Sequence, residues 1–271
     1  MGNQLIMPSY RQPGTVLSDL TFGVPLDHAK PDGEQIELFA REIVAADMPW
    51  LLFLQGGPGM AAPRPVGRDS WLDRALSDFR VLLLDQRGTG RSSPVTRRSL
   101  ASRGSAALQA GYLAQFRADS IVADAELIRR KLTGDRPWSV LGQSFGGFCA
   151  VSYLSVAPEG IREAFIAGGL PGLEVTADEV YRATYPAVAA KNAGHYQRYP
   201  QDVAQARRIA EHLAAVEVEL PGGGALTAEA FQSLGMMLGS GTGSHELHYL
   251  MEDPFSGREL SDDFLHPFRS T

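Results

Sequence analysis

Ser144 stands in GQSFGG, residues 142–147, between a short apolar run, WSVLGQ, and a helical pattern, GGFCAVSYLSVAP. Strand, tight turn and helix in that order fit G-x-S-x-G, in which a strained bend exposes the serine hydroxyl as a nucleophile. Gly142 and Gly146 flank the bend, where a side chain would collide with the turning backbone. The helix that follows aims its positive end at the site and favours developing negative charge. A second turn, LQGGPG at 54–59, follows the apolar run PWLLFL. By itself it reads equally well as a glycine–proline turn. Beside the serine it gains a role, because glycine N–H groups can approach a substrate oxyanion closely. Gly57, or Gly56 in its place, supplies one donor and the N–H of Phe145 the other. The chemistry these turns would serve is attack of a hydroxyl on a carbonyl.

A third turn, DQRGTGRSSP at 85–94, lacks the G-x-G-x-x-G spacing and the G-K-[ST] of phosphate loops. Asp85 and Arg87 are expected to brace the loops by ion pairing. All three turns follow predicted strands, and ligands of open α/β sheets bind at the carboxyl ends of strands.

The elements that must position these turns are legible as periodicities. LTFGVPLDH and EQIELFAREIV alternate apolar and polar residues around AKPDG and predict a hairpin. PWLLFLQ and FRVLLLD are continuously apolar, as suits strands buried on both faces of a parallel sheet, and WSVLGQ and IREAFIAGG continue the series. Helical patterns lie between them: RDSWLDRALSDF, LAQFRADSIVADAELIRRKL and the stretch after Ser144. In the long one, Phe116, Ile121, Leu127, Ile128 and Leu132 share a face with charged residues opposite. The alternation predicts an α/β fold with a mostly parallel sheet. RQPGTVL and VTRRSLASRG, the most basic stretches, read as solvated loops. From Glu174 onward the pattern is helical and Ala-rich, broken by PGGGAL and GSGTGS, with no further continuous apolar strand.

QGGPG, DQRGTGRS and GQSFGG, in that order and at these separations, resemble the prolyl aminopeptidase (proline iminopeptidase) family of the α/β-hydrolase fold. The resemblance covers about residues 20–170 well and the remainder loosely. It implies an α/β-hydrolase core over 1–170 carrying the N-terminal strands, and a helical cap, incomplete, over 171–271. It implies that Ser144 is acylated, that Gly57 and Phe145 form the oxyanion hole, and that the substrate is a peptide with a free N-terminus, often proline, cleaved without a cofactor or metal. Members more often begin the first motif with His, where Gln55 stands here. Caps of such enzymes carry carboxylates for the substrate's amino group, and Glu252, in LHYLMEDPF, is the candidate.

A serine nucleophile needs a base, and the base an orienting acid; in this fold they follow in the order Ser, Asp or Glu, His. After Ser144 the histidines are His195, His212, His245, His248 and His266, and none follows a predicted buried strand. HELH at 245–248 spaces its histidines at i and i+3, unlike the i and i+4 of H-E-x-x-H, so zinc is not expected. The expectation is a chain that stops inside the cap, before the strands bearing the Asp and His. IREAFIAGG would then be an unpaired sheet edge.

With 271 residues, a net charge of −6 and no basic stripe, the chain is not expected to bind nucleic acid. A lone cysteine, Cys149, excludes an internal disulfide and reads as a small buried hydrophobe. No secretory leader, myristoylation pattern or membrane-length apolar run is visible, so the cytoplasm is the expected location. Two other functions fit the same residues: an esterase or other acyl hydrolase of this fold, and a binding protein without turnover.

Overall fold

The computed structural model describes residues 6–67, 70–170, 172–220 and 222–268. Residues 1–5 of the start read above for a leader or lipid site lie outside the described residues, as does the head of the first predicted helix, Arg68–Asp69. The chain divides into two compact units, Met1–Gly172 and Leu173–Thr271.

Unit one is built on a seven-stranded sheet. Strands β1 (Ile6–Gln12), β2 (Thr15–Pro25) and β3 (Gln35–Val44) form an antiparallel meander. Strands β4 (Trp50–Leu54), β5 (Arg80–Leu84), β6 (Trp138–Gln143) and β7 (Ile161–Ala167) run parallel to one another. Their spatial order is β1-β2-β3-β5-β4-β6-β7. The helices of this unit are α1 (Ser70–Ala75), α2 (Arg97–Ala101), α3 (Ala106–Leu113), α4 (Ala118–Thr133) and α5 (Phe145–Val156).

The continuous apolar runs form the centre, as their lack of a polar face requires. Side chains alternate between faces along a strand. Leu52, Leu54, Leu82, Leu84 and Val140 therefore face one layer, with Ile121 and Ile128 of α4 and Cys149 and Tyr153 of α5. Leu51, Phe53, Val81 and Leu83 face the other, with Leu72 and Leu76. Each such leucine contributes roughly 1.5–3 kcal/mol by leaving water. Cys149 is fully buried, and burial pushes its thiol up to about 12.

Three local expectations are corrected. RQPG is a hairpin turn, not a solvated loop: Gln12 pairs with Thr15, and Gly14 at φ 72° supplies the left-handed residue. VTRRSLASRG contains α2, because the Ser99 N–H donates to Thr96 Oγ1 at 3.0 Å and the Thr96 N–H donates to Ser99 Oγ at 2.8 Å. The long helical pattern begins at Ala118 rather than Leu113, and its charged face is not solvated: Asp124, Glu126 and Arg129 are all buried. Strand β7 pairs with β6 alone among the described strands, the unpaired edge expected of IREAFIAGG, and it leaves Phe165 44% exposed.

Unit two contains α6 (Ala177–Arg198), α7 (Asp202–Ala215), α8 (Ala228–Gln232), α9 (Gly243–Glu252) and α10 (Asp262–Leu265). Two hairpins of two-residue strands, Val218–Glu219 with Ala225–Leu226 and Phe255–Ser256 with Glu259–Leu260, join them. Its core gathers Ile209, Leu226, Leu238, Leu247, Met251 and Phe264. Among the described residues, no helix is long and apolar enough to cross a membrane.

Candidate active site

Strand β4 is the centre of convergence. It pairs in parallel with β6, Leu54 opposite Gly142, and on its other edge with β5, Leu54 opposite Leu84. The loops after all three strands therefore leave the sheet side by side, where the strand order reverses.

Ser144 sits at φ 53°, ψ −118°. Among the described non-glycine residues only it and Ser93 have positive φ. Such a conformation costs about 1–3 kcal/mol and persists where the surroundings enforce it. Here the Ser144 N–H donates to the Ala167 carbonyl at 2.7 Å, and the Gly147 N–H donates to the Ser144 carbonyl at 2.8 Å. A Cβ on residue 142 would strike the Gly146 carbonyl, and one on residue 146 the Leu54 carbonyl. Ser144 is exposed, and its Oγ makes no hydrogen bond to a described residue.

The QGGPG loop lies directly against this serine. A Cβ on residue 56 would sit 2.9 Å from Ser144 Cβ and 3.6 Å from its Oγ. Gly57 follows at φ 122°, before a cis bond to Pro58. The N–H groups of Gly57 and Phe145 take no part in the turn bonds of this region. Pro58 and Phe145 also border a cleft of about 570 Å³ with Phe116, Arg117, Ala118 and Asp119.

The third loop braces the second, through partners the sequence did not name. Asp85 Oδ1 accepts the Ala62 N–H and Arg64 Nη1, each at 2.9 Å, and its Oδ2 accepts the Arg91 N–H at 2.8 Å and pairs with Arg64 Nη2. Gln86 Nε2 donates to the Gln55 carbonyl at 3.0 Å. Arg87 is buried and donates to both Asp124 oxygens, at 2.7 and 2.6 Å, and to the carbonyls of Leu26, Gln115 and Pro25. Every donor edge of that guanidinium is occupied, so it is a structural clamp.

Within unit one the sole histidine of the sequence is His28, whose Nε2 is 2.8 Å from Asp124 Oδ1 and 2.8 Å from Arg87 Nη2. It belongs to the clamp. In unit two His195 and His248 flank Asp202, which sequence reasoning passed over. Glu252 is half-exposed, 3.4 Å from His248 Nε2, and lines a cavity of about 370 Å³ with Gln201, Asp202, Gln205 and Met251. Among the described residues no three His, Cys, Asp or Glu side chains are grouped as a metal site. Sequence reasoning also missed Gly169, where a Cβ would strike the Ser144 carbonyl; its signal was the Gly-Gly pair that ends the β7 run.

The alpha/beta hydrolase fold family matches residues 49–211. A proline iminopeptidase of Aeromonas sobria is 51% identical over 251 residues, which cover 90% of this chain and 59% of that protein. One of Aspergillus aculeatus is 42% identical over 247 residues, covering 87% of this chain and 55% of that protein. The chain thus spans less than two thirds of the length of these relatives. A solved proline iminopeptidase-related protein of Thermus thermophilus is 24% identical, with a TM-score of 0.36 over 55% of this chain and 44% of that one. With its serine turn on β6 and a family match over more than half its length, the chain belongs to the α/β-hydrolase fold family.

Proposed function

We propose that this chain carries the nucleophile and oxyanion hole of a serine peptidase of the prolyl aminopeptidase type, acting in the cytoplasm on peptides with a free N-terminus. Ser144 Oγ attacks the carbonyl carbon of the N-terminal residue. The new C–O bond pushes the carbonyl electron pair onto oxygen, which is met by the N–H groups of Gly57 and Phe145, with Gly56 as the alternative donor. Collapse breaks the C–N bond, and the leaving amine takes the proton lost by the hydroxyl through a base. Water then cleaves the ester and frees the amino acid. Glu252 is the proposed counter-charge for the substrate ammonium, which needs one once buried. Its support is a half-exposed carboxylate on the rim of a cavity.

The single observation behind this reading is the left-handed Ser144 with Gly56 packed against it. Treating the purified chain with a fluorophosphonate and mapping the adduct by mass spectrometry tests the nucleophile: modification at Ser144 is expected, and its absence from native protein would refute it. Proline-arylamide against phenyl ester then tests the substrate class. Preference for the arylamide supports a peptidase, whereas ester cleavage alone assigns another acyl hydrolase of the same fold.

A further inference from the structure

The loop that carries the Gly57 donor is held by one contact. Apart from the ladder of β4, the backbone of residues 55–60 makes a single hydrogen bond among the described residues. The Gln55 carbonyl accepts it from Gln86 Nε2 at 3.0 Å. Glycines at 56, 57 and 59 leave this stretch free to rotate about its backbone dihedrals. Gln86, by contrast, is 2% exposed and stands on a fixed loop. Its own carbonyl accepts the Thr89 N–H at 3.0 Å and Thr89 Oγ1 at 2.8 Å. On one side of it the Asp85 N–H donates to the Phe39 carbonyl at 3.0 Å, and the Asp85 carbonyl accepts Ser92 Oγ at 2.6 Å. On the other side stands Arg87, clamped on Asp124.

What the contact fixes follows from the planarity of the peptide. In the trans peptide between Gln55 and Gly56, the C=O and the N–H point in opposite directions. A carbonyl turned toward Gln86 therefore turns the Gly56 N–H away from it, and sets the plane from which the chain continues to Gly57. The same carbonyl lies against the serine turn, where a Cβ on residue 146 would stand 3.1 Å from its oxygen. Gly56 in turn packs on Ser144. Were this peptide to turn over, an oxygen would replace an N–H beside the serine, and an oxyanion is repelled by such an acceptor. Gly56 has no Cβ to resist the turn. The Gln86 amide is what resists it.

With Ser144 as nucleophile and Gly57 or Gly56 as donor, the reading on which this rests, we propose that Gln86 is a positioning residue for the oxyanion hole. It touches neither the substrate nor the reacting atoms. It acts through the Gln55–Gly56 peptide, whose carbonyl it holds on the side away from the donors. The chemistry of the position suits an amide: the contact needs an N–H donor with this reach, in a buried site where an unpaired ammonium or guanidinium would be costly.

Gln86→Met keeps the length of the side chain and removes the donor. Fluorophosphonate labelling of the whole chain over a range of probe concentrations separates the half-saturating concentration from the limiting rate. Q86M should lower the limiting rate by about 10–100-fold, less than a donor removed outright, because the N–H is misplaced rather than deleted. The half-saturating concentration should stay within about twofold, since binding before attack does not use the hole. Equal limiting rates in the two proteins, or a change confined to the half-saturating concentration, overturn the proposal while the nucleophile stands. A wild-type chain that takes no label at Ser144 overturns both. Should Q86M not fold, NMR of the wild-type chain decides. The Gln86 side-chain amide should exchange slowly before and after Ser144 is phosphonylated, and the Gly56 or Gly57 amide should move downfield as it takes the phosphoryl oxygen. A freely exchanging Gln86 amide, or glycine amides that do not move, overturns the proposal.

Discussion

The chain contains two serines in catalytic-looking settings, and each has what the other lacks. Ser144 has the strained turn, with φ at 53°, solvent access and a glycine loop packed against it, but its Oγ has no hydrogen bond to a described residue. Ser244 has the polar chain: its Oγ is 3.0 Å from His195 Nδ1, and His195 Nε2 is 3.1 Å from Asp202. By residue type alone, Ser244–His195–Asp202 is a triad. It nevertheless lies in the regular backbone of α9, and its histidine is 2% exposed. A nucleophile is made by exposed geometry facing amide donors; a Ser–His–Asp chain by itself is as readily a structural tie.

The largest effect that would break this comparison is chemical. Ser144→Ala should abolish fluorophosphonate labelling, and any arylamide turnover by as much as about 10⁶-fold, the scale on which a lost triad serine is felt. Ser244→Ala should leave labelling unchanged; an adduct that moved to Ser244 would reverse the two assignments. Next comes the tie itself. Asp202→Asn leaves two buried imidazoles without their carboxylate, and breaking a buried pair costs about 3–5 kcal/mol. Thermal unfolding followed by exchange should show α6, α7 and α9 lost early while β4–β6 hold; equal loss in both units would mean that the cluster is not local in effect. Third is the glycine loop. Gly56→Ala places a Cβ 2.9 Å from that of Ser144, so the loop must shift and the Gly57 donor with it. Losing one oxyanion donor costs about 10²–10³-fold, and the labelling rate should fall on that scale with the melting temperature little changed.

What was legible in the sequence follows the range of the forces involved. The Ser144 turn could be read because its glycines, its strand and its helix all fall within 138–156, and local sterics dictate them. The pairing of that turn with QGGPG could be read because continuous apolar runs must lie side by side in a parallel sheet. The buried charges could not. Asp124 meets an arginine 37 residues away, Glu126 a tyrosine 27 residues away, and Asp202 a histidine 46 residues away. On a helical wheel these residues look like a solvated face, and only the tertiary fold brings their partners. Strand β1 and α2 were hidden for a smaller reason: a left-handed glycine and a Thr–Ser capping box inside polar stretches read as loop.

The smallest effect is also the sharpest contrast between the two units. Unit one matches its buried carboxylates with arginines, Asp85 with Arg64, Asp124 with Arg87, beside which His28 also meets Asp124, and Glu126 with Arg129. Arginine keeps its charge throughout the accessible range, whereas unit two sets Asp202 between two histidines. For Glu126, burial by itself would raise the carboxyl, but the hydrogen bonds from Arg129 and Tyr153 outweigh it and hold the group below its ordinary value of 4.5. A carboxyl lowered on folding stabilises the fold above its unfolded value and loses that contribution only as the pH falls through the folded one. The loss therefore lies below about pH 4.5. Glu42 runs the other way: burial raises it against the pull of Arg80, so its protonation on acidification favours the folded state slightly. The contribution of Glu126 is therefore intact between pH 7.5 and 5.5. Protection of the β4–β6 amides should change there by less than about 0.5 kcal/mol, under half of what one unit of pKa shift represents. A larger loss in the sheet would mean that the arginine pairs do not set the response of unit one to acid.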